Sequence, residues 1–233
     1  MEGQKVPFTL EIEKTALIVV DMQNDFIRAG APMELQSCRA AIPNTKRVID
    51  ECRQRKIPII YLKFIAGPME TLIWTWSPKL LPDVKCCWKN HKRYYQDINK
   101  EAEVSDIIEE LYPEAGDLIV EKYSYGGFYN TNLHSLLMAH QVMYTIILGA
   151  ATPICVDDTV SGAFDRQYKV FLVSDATGSF DEEFHQNSLR RIAMKYGRVV
   201  TTRELIEEME KASSFAVLEH QDKIRGLLNQ PSL

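Results

Sequence analysis

The sequence predicts an α/β fold, a single-domain, doubly wound and mostly parallel six-stranded sheet with helices on both faces. Three observations lead to this prediction. Short apolar runs rich in β-branched residues alternate with longer amphipathic stretches along the whole chain, as repeated strand–helix units do. The length of 233 residues and mass of 26.7 kDa suit one domain with a sizeable core. No internal repeat or low-complexity tract interrupts the alternation.

The strands are predicted from runs that are apolar on both faces, which is typical of parallel strands covered by helices on each side. Turn-forming or charged residues bound each run. The predicted strands are TALIVVD (15–21), IPIIYLK (57–63), DLIVEK (117–122), MYTIILG (143–149), KVFLVSD (169–175) and a short RVV (198–200).

Helices are predicted between the strands because apolar residues recur there with helical spacing. Two more helices are expected after the last strand. The predicted helices cover roughly 39–56, 103–111, 131–141, 155–167, 184–196, 202–211 and 213–228.

One segment, residues 66–101, departs from the alternation. A connection of this length is uncommon unless it forms a lid, a binding loop or an interface. We therefore expect a long aromatic loop inserted in a single domain that spans 1–233, with a surface excursion packed by its own side chains as the alternative. The segment contains Trp74, Trp76, Trp88, the adjacent pair Cys86 and Cys87, and HKRYY at 91–95.

Composition narrows the class of protein. The net charge of −5 is spread along the chain without a basic stretch, which argues against a nucleic-acid partner. The first residues lack a secretory pattern and the apolar runs are too short to span a bilayer, so we expect a soluble, cytoplasmic protein without a membrane partner. Five cysteines without disulfide or metal spacing predict free thiols.

Polar residues end several predicted strands, at the edge where open parallel sheets bind ligands. Asp21 closes the first strand, Lys122 closes the third, and Cys155 lies just past the fourth. Taken alone, each residue has an ordinary explanation: Asp21 could form a turn, Lys122 could be a solvated cation, and Cys155 could be a small core residue. The combination of carboxylate, ammonium and thiol at one edge instead favours a catalytic site.

The chemistry of these residues is that of an activated cysteine. A thiol becomes a nucleophile when a helix N-terminus or a cation lowers its pKa, or when a base takes its proton. A helix is predicted to begin at Cys155, Lys122 supplies the cation, and Asp21 supplies the base. Backbone N–H groups of GAATPIC (149–155) are candidates for an oxyanion hole, and the small residues there permit close approach.

Three sequence motifs resemble the signature regions of the isochorismatase-like cysteine hydrolases, and the alternation of strands and helices along the chain is similar from about 14 to 210. The motifs are LIVVDMQNDF (17–26), EKYSYGGFYNTNL (121–133) and GAATPICVDDT (149–159). The resemblance implies a catalytic triad of Asp21, Lys122 and Cys155. It also implies a cis peptide bond between Ala150 and Ala151, an oxyanion hole formed by the N–H groups of Ala151 and Cys155, and assembly as a homodimer or homotetramer.

Departures from the family pattern narrow the function. Nicotinamidases of this family carry a metal-binding Asp-x-His after the second strand, and YLKFIAGP (61–68) has neither residue. The five histidines show no ligand spacing, so we expect no metal and no cofactor. Isochorismatases proper lack the cysteine, which argues against vinyl ether cleavage. Pro153 replaces the acidic or amide residue usual in the family, so the hydrogen bonding of the turn is expected to differ.

The similar branch of the family hydrolyses ureido or N-carbamoyl compounds, and ELYPEAGDLIVEKYSYGGFYNTNL (110–133) resembles ureidoacrylate hydrolases in particular. The resemblance therefore implies a metal-independent amidohydrolase that releases ammonia from a small substrate through a cysteine thioester. Alternatives are a nicotinamidase-like or isochorismatase-like hydrolase, a non-catalytic metabolite-binding protein, and a thiol redox sensor that pairs Cys155 with Cys86 or Cys87.

Candidate substrate-binding residues come from the segments around the triad and from the long loop. A carboxylate on the substrate would need a cation, for which the candidates are Lys63, Arg93 and Arg166. The predicted substrate-binding residues are Gln23, Phe26, Trp74, Trp76, Tyr123, Tyr125 and Phe128.

Overall fold

The structure is a computed structural model that describes residues 8–68 and 82–212 of the chain. Six of the strands in these residues form one parallel sheet, and two form a separate antiparallel pair. The strands are Thr15–Val20 (β1), Ile59–Phe64 (β2), Lys92–Tyr95 (β3), Lys100–Glu103 (β4), Leu118–Lys122 (β5), Tyr144–Ala150 (β6), Lys169–Gly178 (β7) and Gly197–Val200 (β8). The sheet order is β5-β2-β1-β6-β7-β8, so the predicted six-stranded parallel sheet is confirmed.

The two central strands, β1 and β6, form the most buried part of the sheet. Every residue of both strands is buried, as expected of parallel strands covered on each face. They pair in register from Thr15 opposite Tyr144 to Val20 opposite Gly149. This register places the residues that follow β1 beside those that follow β6.

Helices cover both faces of the sheet, which confirms the doubly wound arrangement. One apolar core joins α2, α3 and α7 to the sheet, and a second joins α4, α5 and α6 to the opposite face. The predicted helix at 213–228 lies outside the described residues. The helices are Asn24–Ile27 (α1), Gln36–Ala40 (α2), Ile42–Gln54 (α3), Leu133–Ala139 (α4), Asp157–Asp165 (α5), Glu182–Lys195 (α6) and 202–212 (α7).

The predicted helix at 103–111 is wrong, because only Glu109–Leu111 forms a single turn of 3₁₀ helix. The backbone before this turn pairs with residues that follow β1. The carbonyl oxygen of Val104 accepts from the N–H of Asp25 at 3.1 Å, and the N–H of Ile108 donates to the same loop at 3.0 Å. Distant parts of the chain satisfy these backbone groups, so the segment forms a turn and an isolated bridge between Ile107 and Gln23 in place of a helix.

The segment at 66–101 is not an irregular loop throughout. In its described part, β3 and β4 form an antiparallel hairpin and Pro82–Val84 forms a 3₁₀ turn. The HKRYY sequence supplies β3, in which Lys92 is exposed and Tyr95 is buried. This exposed-to-buried change along one short strand fits a hairpin with one face on the domain.

Two predictions from composition can be compared with the described residues. All five cysteines are free thiols, as predicted. None of the helices within 8–68 and 82–212 has both the length and the apolar character needed to cross a bilayer.

Candidate active site

Three polar side chains meet at the carboxyl edge of the sheet. Asp21 follows β1 directly, Lys122 is the last residue of β5, and Cys155 comes shortly after β6. The Nζ atom of Lys122 extends across the end of β2 and lies 2.7 Å from Asp21 Oδ2. The Cys155 thiol lies beside both side chains, close enough to interact electrostatically with each. The structure therefore brings together the three residues that the sequence predicts at this edge.

The Asp21–Lys122 ion pair is buried, with side chains that are 1% and 0% exposed. Lys122 Nζ also donates to the carbonyl oxygen of Ser124 at 3.1 Å, and it lies 4.9 Å from the centre of the Phe64 ring. A buried charge is tolerated where an opposite charge and hydrogen bonds compensate it. These contacts provide that compensation and hold the ammonium group beside the thiol.

Burial and the charges of the neighbouring groups together determine the pKa shifts of the three groups. It raises the pKa of Asp21, and the charge of Lys122 offsets this only in part. Burial alone would lower the pKa of Lys122, but the charges of Asp21 and Cys155 raise it. Burial also raises the pKa of Cys155. The Lys122 charge lowers this pKa as predicted, but burial outweighs it in the resting site, so the sulfur needs a base when it attacks.

The turn before the cysteine is organised around Ala151. Its peptide bond with Ala150 is cis, the isomer that the family resemblance implies. Residues Thr152–Val156 form a turn of π-helix, and the N–H groups of Ile154 and Val156 both donate to the Ala151 carbonyl oxygen, at 3.1 and 3.2 Å. These two donors flank the cysteine. Cys155 belongs to this π-helical turn and precedes α5, which begins at Asp157. The sequence had predicted that the helix would begin at Cys155 itself.

Side-chain hydrogen bonds fix the turn at both ends. Thr152 Oγ1 donates to the carbonyl oxygen at the end of β7 at 2.8 Å and lies 2.8 Å from Nδ1 of His185. Thr159 Oγ1 donates to the Cys155 carbonyl oxygen at 2.6 Å. Pro153 occupies the first turn of the π-helix, where a missing N–H group leaves no helical hydrogen bond unmade.

Gly149 allows β6 to approach β1 directly beneath this turn. Its φ of +117° is a backbone conformation that residues with a side chain rarely adopt, and a Cβ atom there would lie 2.1 Å from the Val20 carbonyl oxygen. Asp21 follows Val20 with a φ of +48°, and Asp is one of the few residue types that tolerate this region. The neighbouring strand ends thus depend on one required glycine and one strained aspartate.

Two of the predicted substrate-binding residues, Phe26 and Tyr125, belong to an aromatic row beside the ion pair. Their rings lie 6.4 Å and 6.1 Å from the ring of Phe64, which stands between them. Sequence reasoning missed Phe64 as a site residue. Phe64 is the last residue of β2, and this position at a strand end could have suggested a site residue. It lies beside the ion pair only because β2 is between β1 and β5, which the sequence does not show.

Gln23 does not have the predicted substrate-binding role in the structure. Its side chain is buried, and its amide oxygen accepts from the N–H of Phe64 at 2.8 Å. Its amide nitrogen donates to the carbonyl oxygens of Phe64 and Ser105 at 2.9 and 2.7 Å. These bonds join the ends of β1 and β2 to the chain that follows β4, so Gln23 holds the site together.

The other predicted substrate-binding residues have different surroundings, and some of them lie outside the described part of the chain. Phe128 is buried on the α4 and α5 face, where it stacks on Tyr168, so the predicted substrate contact is not supported. Tyr123 is half-buried and donates to Glu121 Oε2 at 3.2 Å. The two predicted loop residues, Trp74 and Trp76, lie outside the described residues.

The three candidate cations for a substrate carboxylate each interact with the protein itself. Among the described residues, the structure does not single out one of them for a substrate. The contacts are Lys63 Nζ to Asp106 at 3.1 Å, Arg93 Nε to Asp25 at 3.0 Å, and Arg166 stacked 4.8 Å from the Phe128 ring centre.

Known proteins are similar to this chain over most of its length. The family model described as Isochorismatase domain matches residues 15–204. Ureidoacrylate amidohydrolase RutB of Agrobacterium fabrum is 29% identical over 220 residues, which cover 89% of this chain and 95% of that protein. Enterobactin synthase component B of Escherichia coli is 29% identical over 218 residues, which cover 92% of this chain and 70% of that protein.

Solved structures show the same fold. A cysteine hydrolase from Pseudomonas syringae pv. phaseolicola is 28% identical with a TM-score of 0.79, and the match covers 91% of this chain and all of that one. An N-carbamoylsarcosine amidase from Thermoplasma acidophilum is 27% identical with a TM-score of 0.66, and the match covers 81% of this chain and 96% of that one.

Proposed function

The chain belongs to the isochorismatase family, and from this we propose that it is a cysteine amidohydrolase acting on a C–N bond of a small ureido, N-carbamoyl or amide substrate. One observation carries the proposal: Asp21, Lys122 and Cys155 are in mutual contact at the carboxyl edge of the sheet. The amidohydrolase and amidase names of similar proteins support the same reaction type. The chemistry requires a nucleophile, a base and a fixed charge, and these three residues supply them.

In the first half of the proposed reaction, Asp21 takes the proton of the Cys155 thiol and the sulfur attacks the carbonyl carbon. The carbonyl oxygen becomes negatively charged in the tetrahedral intermediate, and the N–H groups of Ala151 and Cys155 donate to it. One such donor is typically worth about 3 kcal/mol in the transition state. Asp21 then gives the proton to the leaving nitrogen, ammonia departs, and a thioester remains on Cys155.

In the second half, Asp21 removes a proton from water and the hydroxide attacks the thioester. The carbon–sulfur bond breaks and the proton returns to the Cys155 sulfur. The carboxylic or carbamic acid leaves, and the thiol is restored. Asp21 therefore serves in turn as base and acid. These roles require its carboxylate to reach both the Cys155 sulfur and the leaving group of the substrate.

Lys122 makes these proton transfers possible inside a buried site. Before the transfer, its charge is balanced by the Asp21 carboxylate. After the transfer, it is balanced by the Cys155 thiolate, which the ammonium also contacts. The net charge of the three groups is the same in both states, so the transfer moves charge by a short distance and buries no additional ion.

A second candidate function is hydrolysis of a vinyl ether, because the chain is also similar to enterobactin synthase component B. Cys155 distinguishes the two candidates. A vinyl ether has no carbonyl carbon for a thiol to attack, whereas an amide or ureido group has one. The position of the thiol beside Asp21 and Lys122 therefore favours the amidohydrolase.

The test is a substrate panel scored for released ammonia. It contains ureidoacrylate, N-carbamoylsarcosine, biuret, nicotinamide and simple amides. The wild-type protein is expected to release ammonia from at least one ureido or N-carbamoyl compound. Cys155→Ala and Asp21→Asn are expected to lose at least about a thousandfold in rate, because removal of a nucleophile or its base disables the whole unit.

Cys38→Ala is the matched control, since Cys38 is another buried free thiol but packs in the apolar core. It should retain the wild-type rate per folded molecule, and circular dichroism should show that all variants are folded. Ammonia release that survives in Cys155→Ala would refute the nucleophile. Turnover of an isochorismatase-type vinyl ether without turnover of any amide would favour the second candidate.

A further inference from the structure

A second cluster of reactive side chains lies next to the active site and has no part in the proposed reaction. Asp25, Cys86 and Cys87 are all buried, and their ligand atoms lie within 4.8 Å of one another. We infer that these three residues bind a thiophilic divalent cation, zinc or cadmium, through two sulfur atoms and one carboxylate oxygen. The inference concerns binding alone and does not depend on the proposed hydrolysis.

The sulfur atoms already have the spacing of a tetrahedral metal site. Cys86 Sγ and Cys87 Sγ are 3.9 Å apart. Two thiolates bound to zinc with bonds of about 2.3 Å and tetrahedral angles would be about 3.8 Å apart. Adjacent Cα atoms lie only about 3.8 Å apart, below the usual range for a disulfide. The pair is therefore better suited to share a metal ion than to form a bond with each other.

The carboxylate of Asp25 is oriented as a metal ligand usually is. Its Oδ1 atom accepts from Tyr95 Oη at 2.6 Å and from Arg93 Nε at 3.0 Å. Its Oδ2 atom accepts from the N–H of Cys87 at 3.1 Å. Hydrogen bonds from outer partners fix the orientation of ligating carboxylates in metal sites. Here they hold the carboxylate against the cysteine pair before any ion binds.

The charges of the cluster balance when a divalent cation is bound. Each thiol gives its proton to solvent as its sulfur bonds to the metal, so two thiolates and one carboxylate face the cation. The two positive charges of the cation and the one of Arg93 cancel these three negative charges. Arg93 is held in place by the Val84 carbonyl oxygen at 2.6 Å. A buried site of this composition therefore carries no uncompensated charge.

The cluster is adjacent to the triad but separate from it. Asp25 lies in α1, just after Asp21, and the N–H of Ala66, beyond the end of β2, donates to the Cys87 carbonyl oxygen at 3.1 Å. The three ligands come from two distant parts of the sequence, and two of them are neighbours in the chain. Sequence spacing of the usual Cys-x-x-Cys kind could not reveal such a site.

The test is a cadmium titration of the Cys155→Ser protein, monitored by the ultraviolet charge-transfer absorption of cadmium–thiolate bonds. Removing the triad sulfur ensures that it contributes nothing to the signal. The absorption should saturate at one cadmium per chain, zinc should compete with it, and zinc should raise the melting temperature of the same protein. No absorption and no change in melting temperature would overturn the inference without any further variant.

Two double variants in the Cys155→Ser background locate the site. Cys86→Ser/Cys87→Ser should abolish the absorption, and Cys38→Ser/Cys52→Ser, which changes two other buried thiols, should leave it unchanged. Asp25→Asn should keep the absorption but weaken binding by about tenfold or more. The reverse pattern in the two double variants, or unaltered affinity in Asp25→Asn, would contradict the assigned ligands. If Cys86→Ser/Cys87→Ser does not fold, the response of Cys38→Ser/Cys52→Ser decides.

Discussion

The carboxylate of Asp21 is subject to two opposed demands. As the proposed base it must be ionised, yet it is buried, and burial raises its pKa. The same burial raises the pKa of the Cys155 thiol, so carboxylate and thiol are both shifted toward their protonated forms. A base and an acid shifted in the same direction can still exchange a proton, because only the difference between their pKa values matters.

The pH dependence of kcat/KM is expected to reflect this shift. Activity needs ionised Asp21, so the rate should fall as the pH is lowered through the pKa of Asp21, with a midpoint above the ordinary value of 3.8. The pKa of Lys122 is raised above 10.5, so loss of its charge should not limit the rate below that pH. A pH profile that stays flat down to the range of an exposed aspartate would contradict the role of Asp21.

Loss of the ammonium group should destabilise the fold through its partner. Lys122→Met leaves a buried carboxylate without a counter-charge, and breaking a buried pair in this way costs about 3–5 kcal/mol. The pKa of Asp21 then rises further, so the loss of stability should grow as the pH increases from acid to neutral. Urea unfolding at several pH values measures this dependence.

Asp21→Asn/Lys122→Met is the matched control for this prediction. It removes both charges and should recover much of the stability that Lys122→Met loses, because no uncompensated ion remains. Equal destabilisation by the single and double variants would show that packing of the lysine chain, and not its charge, stabilises this region.

At the scale of elements, the residues of the site lie at or just beyond the carboxyl ends of strands, and the interior residues of the strands do not contribute to it. β1, β5 and β6 are ordinary buried or half-buried strands, and the chemistry lies in the residues at and just beyond their ends. The strand ends meet because the parallel register aligns Val20 with Gly149. A change in that register would move the cysteine turn away from Asp21.

Gly149→Ala tests this dependence. The added Cβ atom would lie 2.1 Å from the Val20 carbonyl oxygen, so β1 and β6 would have to separate. Gly116→Ala is the matched control, because Gly116 also has a positive φ, of +104°, but an added Cβ meets nothing within 4 Å. Both variants carry backbone strain of about 1–3 kcal/mol. Gly149→Ala should lose at least about 2 kcal/mol more in urea unfolding, and equal losses would argue against the close approach.

The sequence was sufficient to predict the parallel sheet and the three residues at its edge, for a physical reason. Strands buried on both faces are apolar throughout, and polar residues such as Asp21 and Lys122 that end them stand out against that pattern. The order of strands within the sheet leaves no such trace. Phe64 was missed for this reason, since its position between Asp21 and Lys122 depends on which strands are neighbours.

Other errors arose where distant chain segments replace local partners. The stretch at 103–111 has helical spacing, but its backbone bonds to the loop after β1. Gln23 follows the site residue Asp21 in the sequence, yet its amide bonds to the backbone of Phe64 and Ser105. Long-range hydrogen bonds of this kind override local propensity, and a single sequence contains no record of them.

At the scale of the whole molecule, Asp25 connects the described part of the 66–101 segment to the main sheet. Its buried carboxylate accepts from Tyr95 and Arg93 of β3 and from the N–H of Cys87. A carboxylate that binds one segment through several buried hydrogen bonds makes the unfolding of that segment costly for the domain. From this connection we predict that the inserted segment and the sheet unfold together.

Cooperative unfolding should therefore appear in two independent signals. All three tryptophans occur between positions 74 and 88 of the sequence, so tryptophan fluorescence monitors the inserted segment, whereas far-ultraviolet circular dichroism monitors mainly the sheet and helices. In urea, with a chelator present to exclude bound metal, the two transitions should coincide for the wild-type protein. In Asp25→Ala, the fluorescence transition should move to lower urea than the dichroism transition, because the hydrogen bonds that join the segment to the sheet are lost. Separate transitions in the wild-type protein would mean that the insertion is an independent unit and that Asp25 does not couple it to the sheet.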